Sequence, residues 1–306
     1  MAGALALGMT IPEGGPFVRD SLTAPFVVAV LFLSGYTLDL SNFLRQARNF
    51  RAIALSLTST FIVAPVVAYG AVSVWGPAAD GTSTSREFLE AIMIVAAQGG
   101  TLVAAVVFTR IAAGEIELAL VVTALSNALT AVATPLVLYI ALGEDVAIPV
   151  LPMIQRIALV IVLPLIVGQV VRRLVWTPSP GALSVIRVLP QLIVLSFVYT
   201  AVSVASEQLA DAGFLVLRFF AACISLHAVM LVWMTFSARA LGFPRNERVA
   251  LLFSGAQKTM PNGMYVWTEF FAANPYGALA LALHHALQLV GGNLIAAFLG
   301  RRSGPG

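Results

Sequence analysis

Long apolar stretches, separated by short polar or charged connections, run through almost the whole chain. About nine of them are long enough to cross a hydrocarbon core of about 30 Å, which takes about 20 helical residues. The stretches lie at about 24–40, 51–75, 88–110, 117–142, 149–175, 186–206, 214–240, 247–271 and 275–300. This pattern predicts an all-α polytopic membrane protein with about nine transmembrane helices.

Composition supports a membrane protein and narrows its chemistry. The chain is 59% hydrophobic and only 10% charged, whereas soluble domains are about 25% charged. The net charge of +3 is explained by arginines in cytoplasmic loops, so we expect the lipid bilayer as a partner and no nucleic acid. The single cysteine, Cys223, excludes a disulfide within the chain and a cysteine-based metal cluster.

Alternating assignment of the loops divides the arginines into two groups. The larger group is Arg45, Arg48, Arg51, Arg110, Arg172, Arg173, Arg187, Arg239, Arg245, Arg248, Arg301 and Arg302. The other side holds Arg19, Arg86, Arg156 and Arg218, with most of the acidic residues. Because basic loops stay in the cytoplasm, we expect a cytoplasmic C-terminus and Asp20 outside, in the plasma or inner membrane of the cell.

The segment 247–271 contains polar and helix-breaking residues near its centre. Lys258 lies roughly 15 Å along a helix from Arg248 at about 1.5 Å per residue, which places it near the bilayer midplane. Pro261 suits the first turn of a second half-helix, with Thr259 or Met260 at its N-cap position, and Thr259 has the better capping chemistry. We expect the ammonium of Lys258 to contact carbonyls freed at the end of the first half-helix. A charge at this depth indicates function.

A weak internal repeat gives this break a partner. Gln98-Gly99-Gly100-Thr101 interrupts the segment 88–110 much as Gln257-Lys258-Thr259 interrupts 247–271. The helices that follow carry polar residues at helical spacing, which are Ser126, Asn127 and Thr130 in one and His284, His285 and Gln288 in the other. The two broken segments enter from opposite sides, which predicts inverted repeats with a binding site where the breaks cross.

Each of these features also has a purely structural interpretation. The paired glycines occur at ordinary helix contacts in membrane proteins, and the hydroxyl and amide groups occur in interhelical hydrogen bonds. One of His284 and His285 can be satisfied by Gln288 or can relay protons. His227 stands alone among apolar residues and is interpreted as structural. No catalytic motif is present, so we do not expect an enzyme, and no carboxylate falls within the apolar interior.

Several motifs, in this order and spacing, resemble the bile acid:sodium symporter superfamily and its sodium/bile-acid-cotransporter-like branch. They are Leu33-Ser34-Gly35-Tyr36-Thr37-Leu38, Phe61-Ile62-Val63-Ala64-Pro65, Gln98-Gly99-Gly100-Thr101, Ser126-Asn127 through Thr134-Pro135, Gly255-Ala256-Gln257-Lys258-Thr259 and His285-x-x-Gln288. The resemblance implies panel and core domains built from two inverted five-helix repeats, with crossing broken helices in the core. It also implies transport of an organic anion with sodium by alternating access.

This resemblance sets the expected domains and site. Residues 1–23 are expected to be the stub of a lost first helix and an outer loop, 24–142 the first repeat, 143–300 the second and 301–306 a cytoplasmic tail. The residues expected to bind substrate or ion are Gln98, Gly99, Gly100, Thr101, Ser126, Asn127, Thr130, Gln257, Lys258, Thr259, Asn262, His285 and Gln288.

The sequence departs from the family at its sodium ligands. Val103 and Ala104 replace a Ser-Asn pair, Phe253 replaces a glutamate, and Thr60 a glutamine. Lys258 replaces an asparagine. The residual candidates for a sodium site are Ser126, Thr130 and Gln257. We therefore expect no cofactor, with sodium or a proton as the possible coupling ion, and hypothesise that Lys258 replaces bound sodium in a sodium-independent, proton-coupled or uniport-like carrier.

Two other functions stay open. A cation/proton antiporter also uses crossed broken helices, but it usually needs an aspartate within the membrane. A non-transporting membrane regulator would leave the two breaks and the central lysine unexplained. Proton flux on adding sodium or potassium separates the first alternative from an anion carrier, and a melting shift with bile acids or other organic anions separates the second.

Overall fold

Helices make up the regular structure of the residues that the computed structural model describes, which are 2–38, 45–78, 82–143, 146, 148–174, 180–211 and 213–301. They are α1 (Ala2–Thr10), α2 (Gly14–Thr37), α3 (Phe50–Trp75), α4 (Ser83–Ala96), α5 (Leu102–Ile111), α6 (Ile116–Leu142), α7 (Val150–Leu174), α8 (Pro180–Asp211), α9 (Phe214–Ala240), α10 (Arg245–Ala256), α11 (Met260–Phe270) and α12 (Gly277–Arg301). No strand occurs among these residues. The prediction of an all-α protein is confirmed.

The membrane passes agree with the predicted number. Within the described ranges, seven helices are long and apolar enough to cross a membrane, namely α2, α3, α6, α7, α8, α9 and α12. The pairs α4–α5 and α10–α11 are each a candidate pass with an interruption, and together with the seven they give nine candidate passes in the part of the chain that the structure describes. Helix α2 begins at Gly14, earlier than the predicted start at about 24, and continues through the charged turn in which Arg19 donates to the Asp20 carboxylate at 2.6 Å. The predicted end of this pass at about 40 and the tail after 301 lie outside the described residues.

Three long helices contain short π-helical stretches, in which each N–H bonds to the carbonyl five residues earlier. The stretches are Val18–Leu22 in α2, Ser59–Val63 in α3 and Ala158–Val162 in α7. Each is followed within three residues by a proline, which are Pro25, Pro65 and Pro164. Because proline has no N–H, the carbonyl that this N–H would have bonded is available to other donors.

The helices pack as two groups, which we name the panel group (α1, α2, α7 and α8) and the core group (α3 to α6 and α9 to α12). In the panel group α2 packs along α7, and α1 packs on α8. A Cβ atom on Gly35 would overlap the Leu165 carbonyl, and one on Gly168 would overlap the Phe32 carbonyl. The backbones of α2 and α7 therefore touch, as small residues permit in membrane helices. The core group surrounds the two interruptions.

The two ends of the molecule carry different polar contacts. Contacts at the arginine-rich end join Arg45 to Glu117, Asn49 to Glu247 and Asn246 to Glu115. Contacts at the opposite end join Asn274 to Glu90 and Arg156 to Glu269. The ends thus separate as the loop assignment expects. Which end faces the cytoplasm, and the repeat boundaries at 24–142 and 143–300, stay predictions.

Candidate functional site

The two helix interruptions meet inside the core group. The first lies between Ala96 and Leu102, and the second lies between Ala256 and Met260. The backbone N–H of Thr259 in the second donates to the carbonyl of Gly99 in the first at 2.9 Å. The two breaks identified from the sequence therefore touch through their backbones.

Gly99 and Gly100 make this close approach possible. A Cβ atom at position 99 would lie 2.8 Å from the Thr130 hydroxyl oxygen and 2.9 Å from the Ser126 carbonyl oxygen. A Cβ atom at position 100 would lie 2.8 Å from the carbonyl oxygen of Ser254, in α10. Real Cβ contacts are not this short, so a larger residue at position 99 would push the first interruption away from α6, and one at position 100 would push it away from α10.

Polar residues of α6 hold the first interruption in place. The N–H of Gly100 donates to Ser126 Oγ at 3.0 Å, and Asn127 Nδ2 donates to the Gly100 carbonyl at 2.7 Å. The Thr130 hydroxyl donates to the carbonyl of Ser126, within its own helix, at 2.9 Å. Ser126 and Asn127 thus bind the backbone of the break, as the structural interpretation of these residues suggested.

Sequence reasoning missed the contribution of Thr134. Its hydroxyl donates to the Ala97 carbonyl at 2.6 Å and so satisfies an acceptor at the end of α4. The spacing from Thr130 to Thr134 is one helical turn, which was the available signal. The amide of Gln98 donates to the carbonyl of Ile94 at 2.9 Å, while its Oε1 atom is buried and has no hydrogen-bond partner among the described residues.

Lys258 directs its ammonium group to two backbone oxygens inside the core group. Its Nζ atom donates to the Thr60 carbonyl at 2.7 Å and to the Gln98 carbonyl at 2.9 Å. The residue is only 3% exposed. The freed carbonyls belong to α3 and to the first interruption, not to α10 as expected, because extended backbone at Gln257 carries Lys258 away from its own half-helix.

The Thr60 carbonyl is free because of the π-helical stretch and the proline that follows. In this stretch the N–H of Ala64 bonds to the Ser59 carbonyl, five residues back. In the same register the next N–H would bond to Thr60, but that residue is Pro65, which has none. The oxygen is left for Lys258. The sequence signal for this contact was Pro65 rather than the side chain at position 60.

Gln288 holds the backbone of Lys258 from α12. The N–H of Lys258 donates to Gln288 Oε1 at 2.8 Å, and Gln288 Nε2 donates to the Lys258 carbonyl at 2.7 Å. The same Nε2 atom lies 3.0 Å from Nδ1 of His285. The predicted pairing of a histidine with Gln288 therefore belongs to His285.

His227 was interpreted as structural from its apolar sequence neighbours, and that interpretation did not identify its partner. Its ring on α9 packs edge to face with the ring of His284 on α12, with centroids 5.7 Å apart. Both side chains are buried. Sequence spacing could not reveal this pair, because the two residues lie on different helices that only tertiary packing brings together.

The half-helices α5 and α11 start beside each other at the interruptions. Thr101 and Thr259 are their N-cap residues, and within the described part of the chain neither side chain makes a capping bond. The prediction that Thr259 takes the N-cap position is confirmed, while its side chain makes no hydrogen bond to the first turn of α11. Asn262, in the first turn of α11, donates from Nδ2 to Asn127 Oδ1 at 2.7 Å. This bond connects the second interruption to α6, which holds the first.

A cavity of about 350 Å³ lies where these N-termini face the panel group. Its walls are mainly apolar and include Val30 and Leu31 of α2 and Val194 and Leu195 of α8. Its polar lining includes Thr101, Asn127, Thr259, Asn262 and His285. The lining follows α5 from the interruption toward the arginine-rich end, whereas α11 packs directly against α2 on the other half. The cavity therefore lies on the arginine-rich half of the molecule.

The three candidates for a residual sodium site differ in their hydrogen-bond partners. The hydroxyls of Ser126 and Thr130 donate to carbonyls of α6. Gln257 lies beside Gly292 of α12, and both of its amide atoms are buried without a hydrogen-bond partner among the described residues. Sodium binding by these residues stays a prediction.

Known proteins resemble this chain over most of its length. The uncharacterized protein PA2026 of Pseudomonas aeruginosa is 28% identical over 85% of this chain and 79% of its own length. Sodium/bile acid cotransporter 7-B of Xenopus laevis is 25% identical over 95% of this chain and 87% of its own. Sodium/bile acid cotransporter 7 of Mus musculus is 22% identical over 92% and 84%, respectively.

A family model gives the broadest match. The model of the SBF-like CPA transporter family covers residues 1–301, which include both interruptions and the cavity between them and the panel group. Together with the apolar helices, this match identifies an integral membrane protein with a small substrate, and a transporter rather than an enzyme. The chain belongs to the SBF-like CPA transporter family.

Proposed function

We propose that this chain is a secondary transporter that carries an amphipathic organic anion by alternating access, and that the ammonium of Lys258 takes the place of bound sodium. The observation that carries the proposal is the contact of Lys258 Nζ with two freed backbone oxygens, of Thr60 and Gln98. We further propose that the arginine-rich end is cytoplasmic, since basic loops stay inside.

The charge balance around Lys258 supports a sodium-independent site. Carbonyl oxygens are suitable ligands for hard cations, and the ammonium already occupies two of them. No Asp or Glu side chain is fully buried among the described residues, so nothing in the buried site offsets a second positive charge. Two unit charges about 4 Å apart repel by about 4 kcal/mol at an effective dielectric constant of 20. A sodium ion beside the ammonium is therefore disfavoured.

The cavity has the character expected of a site for an amphipathic anion. Helix N-termini carry a partial positive charge of about half an elementary charge, from N–H groups without acceptors, and two of them reach this cavity at Thr101 and Thr259. They favour an anionic head group. The apolar walls from α2 and α8 favour an apolar body. Two relatives are named for sodium and bile acid cotransport, and bile acids combine these two properties.

Alternating access is supported by the asymmetry of the two half-helices. Helix α5 borders the cavity from Leu102 to Phe108, whereas α11 reaches it only with its first turn and is packed against α2 and α8 of the panel group. The cavity therefore has a closed side at α11 and lies on the arginine-rich half. A movement of the core group relative to the panel group would separate α11 from the panel and give access from the opposite side.

Reconstitution into liposomes tests the proposal. Liposomes that contain the purified protein are loaded with unlabelled cholate. Exchange with external radiolabelled cholate is then followed with sodium or with choline as the only cation. We expect equal exchange in both media and no accumulation from a sodium gradient alone. Accumulation driven by sodium would contradict the substitution of sodium by Lys258.

Variants at Lys258 provide the matched comparison. Lys258→Ala removes the ammonium and should abolish exchange, whereas Lys258→Arg keeps a positive charge and should retain part of it. Thermal melting shows whether each variant is folded. Intact exchange by a folded Lys258→Ala protein would refute the role of the lysine. A dye-reported proton flux on adding sodium or potassium, without cholate exchange, would instead identify a cation/proton antiporter.

A further inference from the structure

The orientation of the Gln288 amide is fixed by the backbone of Lys258. The backbone N–H can only donate and lies 2.8 Å from one end of the amide, while the carbonyl can only accept and lies 2.7 Å from the other. The end near the N–H must therefore be Oε1, and the end near the carbonyl must be the NH2 group. Exchange of these two atoms would place like groups against each other at both contacts.

This orientation determines the tautomer of His285. Gln288 Nε2 carries two hydrogens, of which one bonds to the Lys258 carbonyl. The other is directed at His285 Nδ1, 3.0 Å away. Nδ1 must then act as an acceptor and carry no proton. A neutral imidazole with an unprotonated Nδ1 has its proton on Nε2.

We propose that His285 uses this Nε2–H to bind the anionic head group of the substrate, and that Gln288 is the positioning residue that keeps the proton there. His285 lines the cavity, whereas Gln288 does not and is fully buried. The ring edge held by Gln288 is thus the inner edge, and the opposite edge faces the cavity. This inference rests on the proposed transport of an organic anion.

The tautomer fits the rest of the cavity. The open ends of α5 and α11 offer backbone N–H groups, and Thr101 and Thr259 offer hydroxyl groups. His285 adds a neutral N–H to this set of donors, as binding a carboxylate or sulfonate requires. With the opposite tautomer, Nε2 would present a lone pair to the anion and repel it. Gln288 bonds both to the backbone of Lys258 and to His285, so it connects the site of the lysine ammonium to the cavity.

Two substitutions of similar size at position 285 separate this role from packing. The amide nitrogen of glutamine reaches the place of imidazole Nε2, while that of asparagine reaches only the place of Nδ1. We expect His285→Gln to keep the KM for cholate exchange within about threefold of the parent protein. His285→Asn should raise it at least tenfold, about 1.4 kcal/mol, with kcat changed less than KM. Equal KM values for the two variants would overturn the inference.

The tautomer is tested independently of transport. Nitrogen NMR of protein labelled in its three histidines distinguishes protonated from unprotonated ring nitrogens, and the His285→Gln spectrum assigns the signals of His285. We expect Nδ1 unprotonated and Nε2 protonated, with the Nε2 signal shifting when cholate is added. In Gln288→Glu an acceptor replaces the NH2 group, so the proton should move to Nδ1.

The two proposals can fail separately. If the parent protein exchanges cholate without sodium but Nδ1 carries the proton, the role of His285 is wrong and the proposed function stands. If the tautomer is as inferred but cholate neither exchanges nor shifts the Nε2 signal, the proposed anion transport is wrong, and the binding role of His285 falls with it.

Discussion

A methyl group at position 100 should disturb the site more than its size suggests. In Gly100→Ala the new Cβ would lie 2.8 Å from the Ser254 carbonyl oxygen and 3.2 Å from Thr123 Cγ2. Gly100 cannot move freely away, because its N–H bonds to Ser126 and its carbonyl accepts from Asn127. Relief of the overlap therefore costs at least one of these hydrogen bonds, each worth about 1 kcal/mol, or separates α10 from the first interruption.

The expected destabilisation is that of a tightly packed core forced to accept an extra carbon, about 1–3 kcal/mol. If a domain of 150–250 residues is taken as the guide, this corresponds to a melting temperature lower by roughly 2–12 °C. Cholate exchange should fall together with stability, because Asn127, which donates to the Gly100 carbonyl, also accepts from Asn262 in the first turn of α11. The loss of stability is measured by thermal melting in detergent, with a dye that does not react with cysteine. The loss of exchange is measured in liposomes.

Gly70→Ala is the matched control. Apart from its chain neighbours and the backbone of its own helix, no described atom lies within 4 Å of the position that its Cβ would occupy, and alanine is favoured over glycine within a helix by up to about 1 kcal/mol. This variant should melt at or slightly above the parent protein and exchange cholate normally. If Gly100→Ala behaves like Gly70→Ala in both assays, the two interruptions are not packed as tightly as the backbone contacts imply.

Two further contacts give independent predictions. The Arg156–Glu269 ion pair joins α7 of the panel group to α11 of the core group. Glu269→Arg should change the cholate exchange rate up to about fivefold, since exposed ion pairs are worth about 0.2–1 kcal/mol. Adding Arg156→Glu should restore the rate, and no recovery in this double variant would exclude a role for the pair. Thr134→Val leaves the Ala97 carbonyl without its donor and should lower the melting temperature, because an unsatisfied buried acceptor costs about 1–3 kcal/mol. Its control is Thr235→Val, which removes an exposed hydroxyl bonded within its own helix and should leave the melting temperature unchanged.

Apolar periodicity and loop charge were sufficient to predict the membrane passes. The bilayer leaves few options, since a chain with apolar runs of this length must satisfy its backbone within helices. The same constraint made the two interruptions visible, because Gly99, Gly100 and Pro261 are conspicuous in otherwise apolar runs. The prediction that Thr259 begins α11 followed from local chemistry alone.

The partners of Lys258 could not be predicted to the same degree. Local reasoning assigned its ammonium to the end of α10, but extended backbone at Gln257 sends it to α3 and to the first interruption. Nothing near Lys258 in sequence encodes that choice. The contact of His227 with His284 was not predicted for the same reason, since both contacts depend on how helices far apart in sequence pack together.

The oxygens that hold the Lys258 ammonium belong to the main chain, and this changes what sequence variation can do to the charge. Replacing the side chain of Thr60 or Gln98 leaves both carbonyls present. The Thr60 hydroxyl itself has no hydrogen-bond partner among the described residues, so a valine there would remove nothing that the ammonium uses. The position most able to alter the binding of the ammonium is Pro65, because any other residue there would restore an N–H that competes for the Thr60 carbonyl. Relatives could therefore differ widely at both side chains and still hold a cation at the same point.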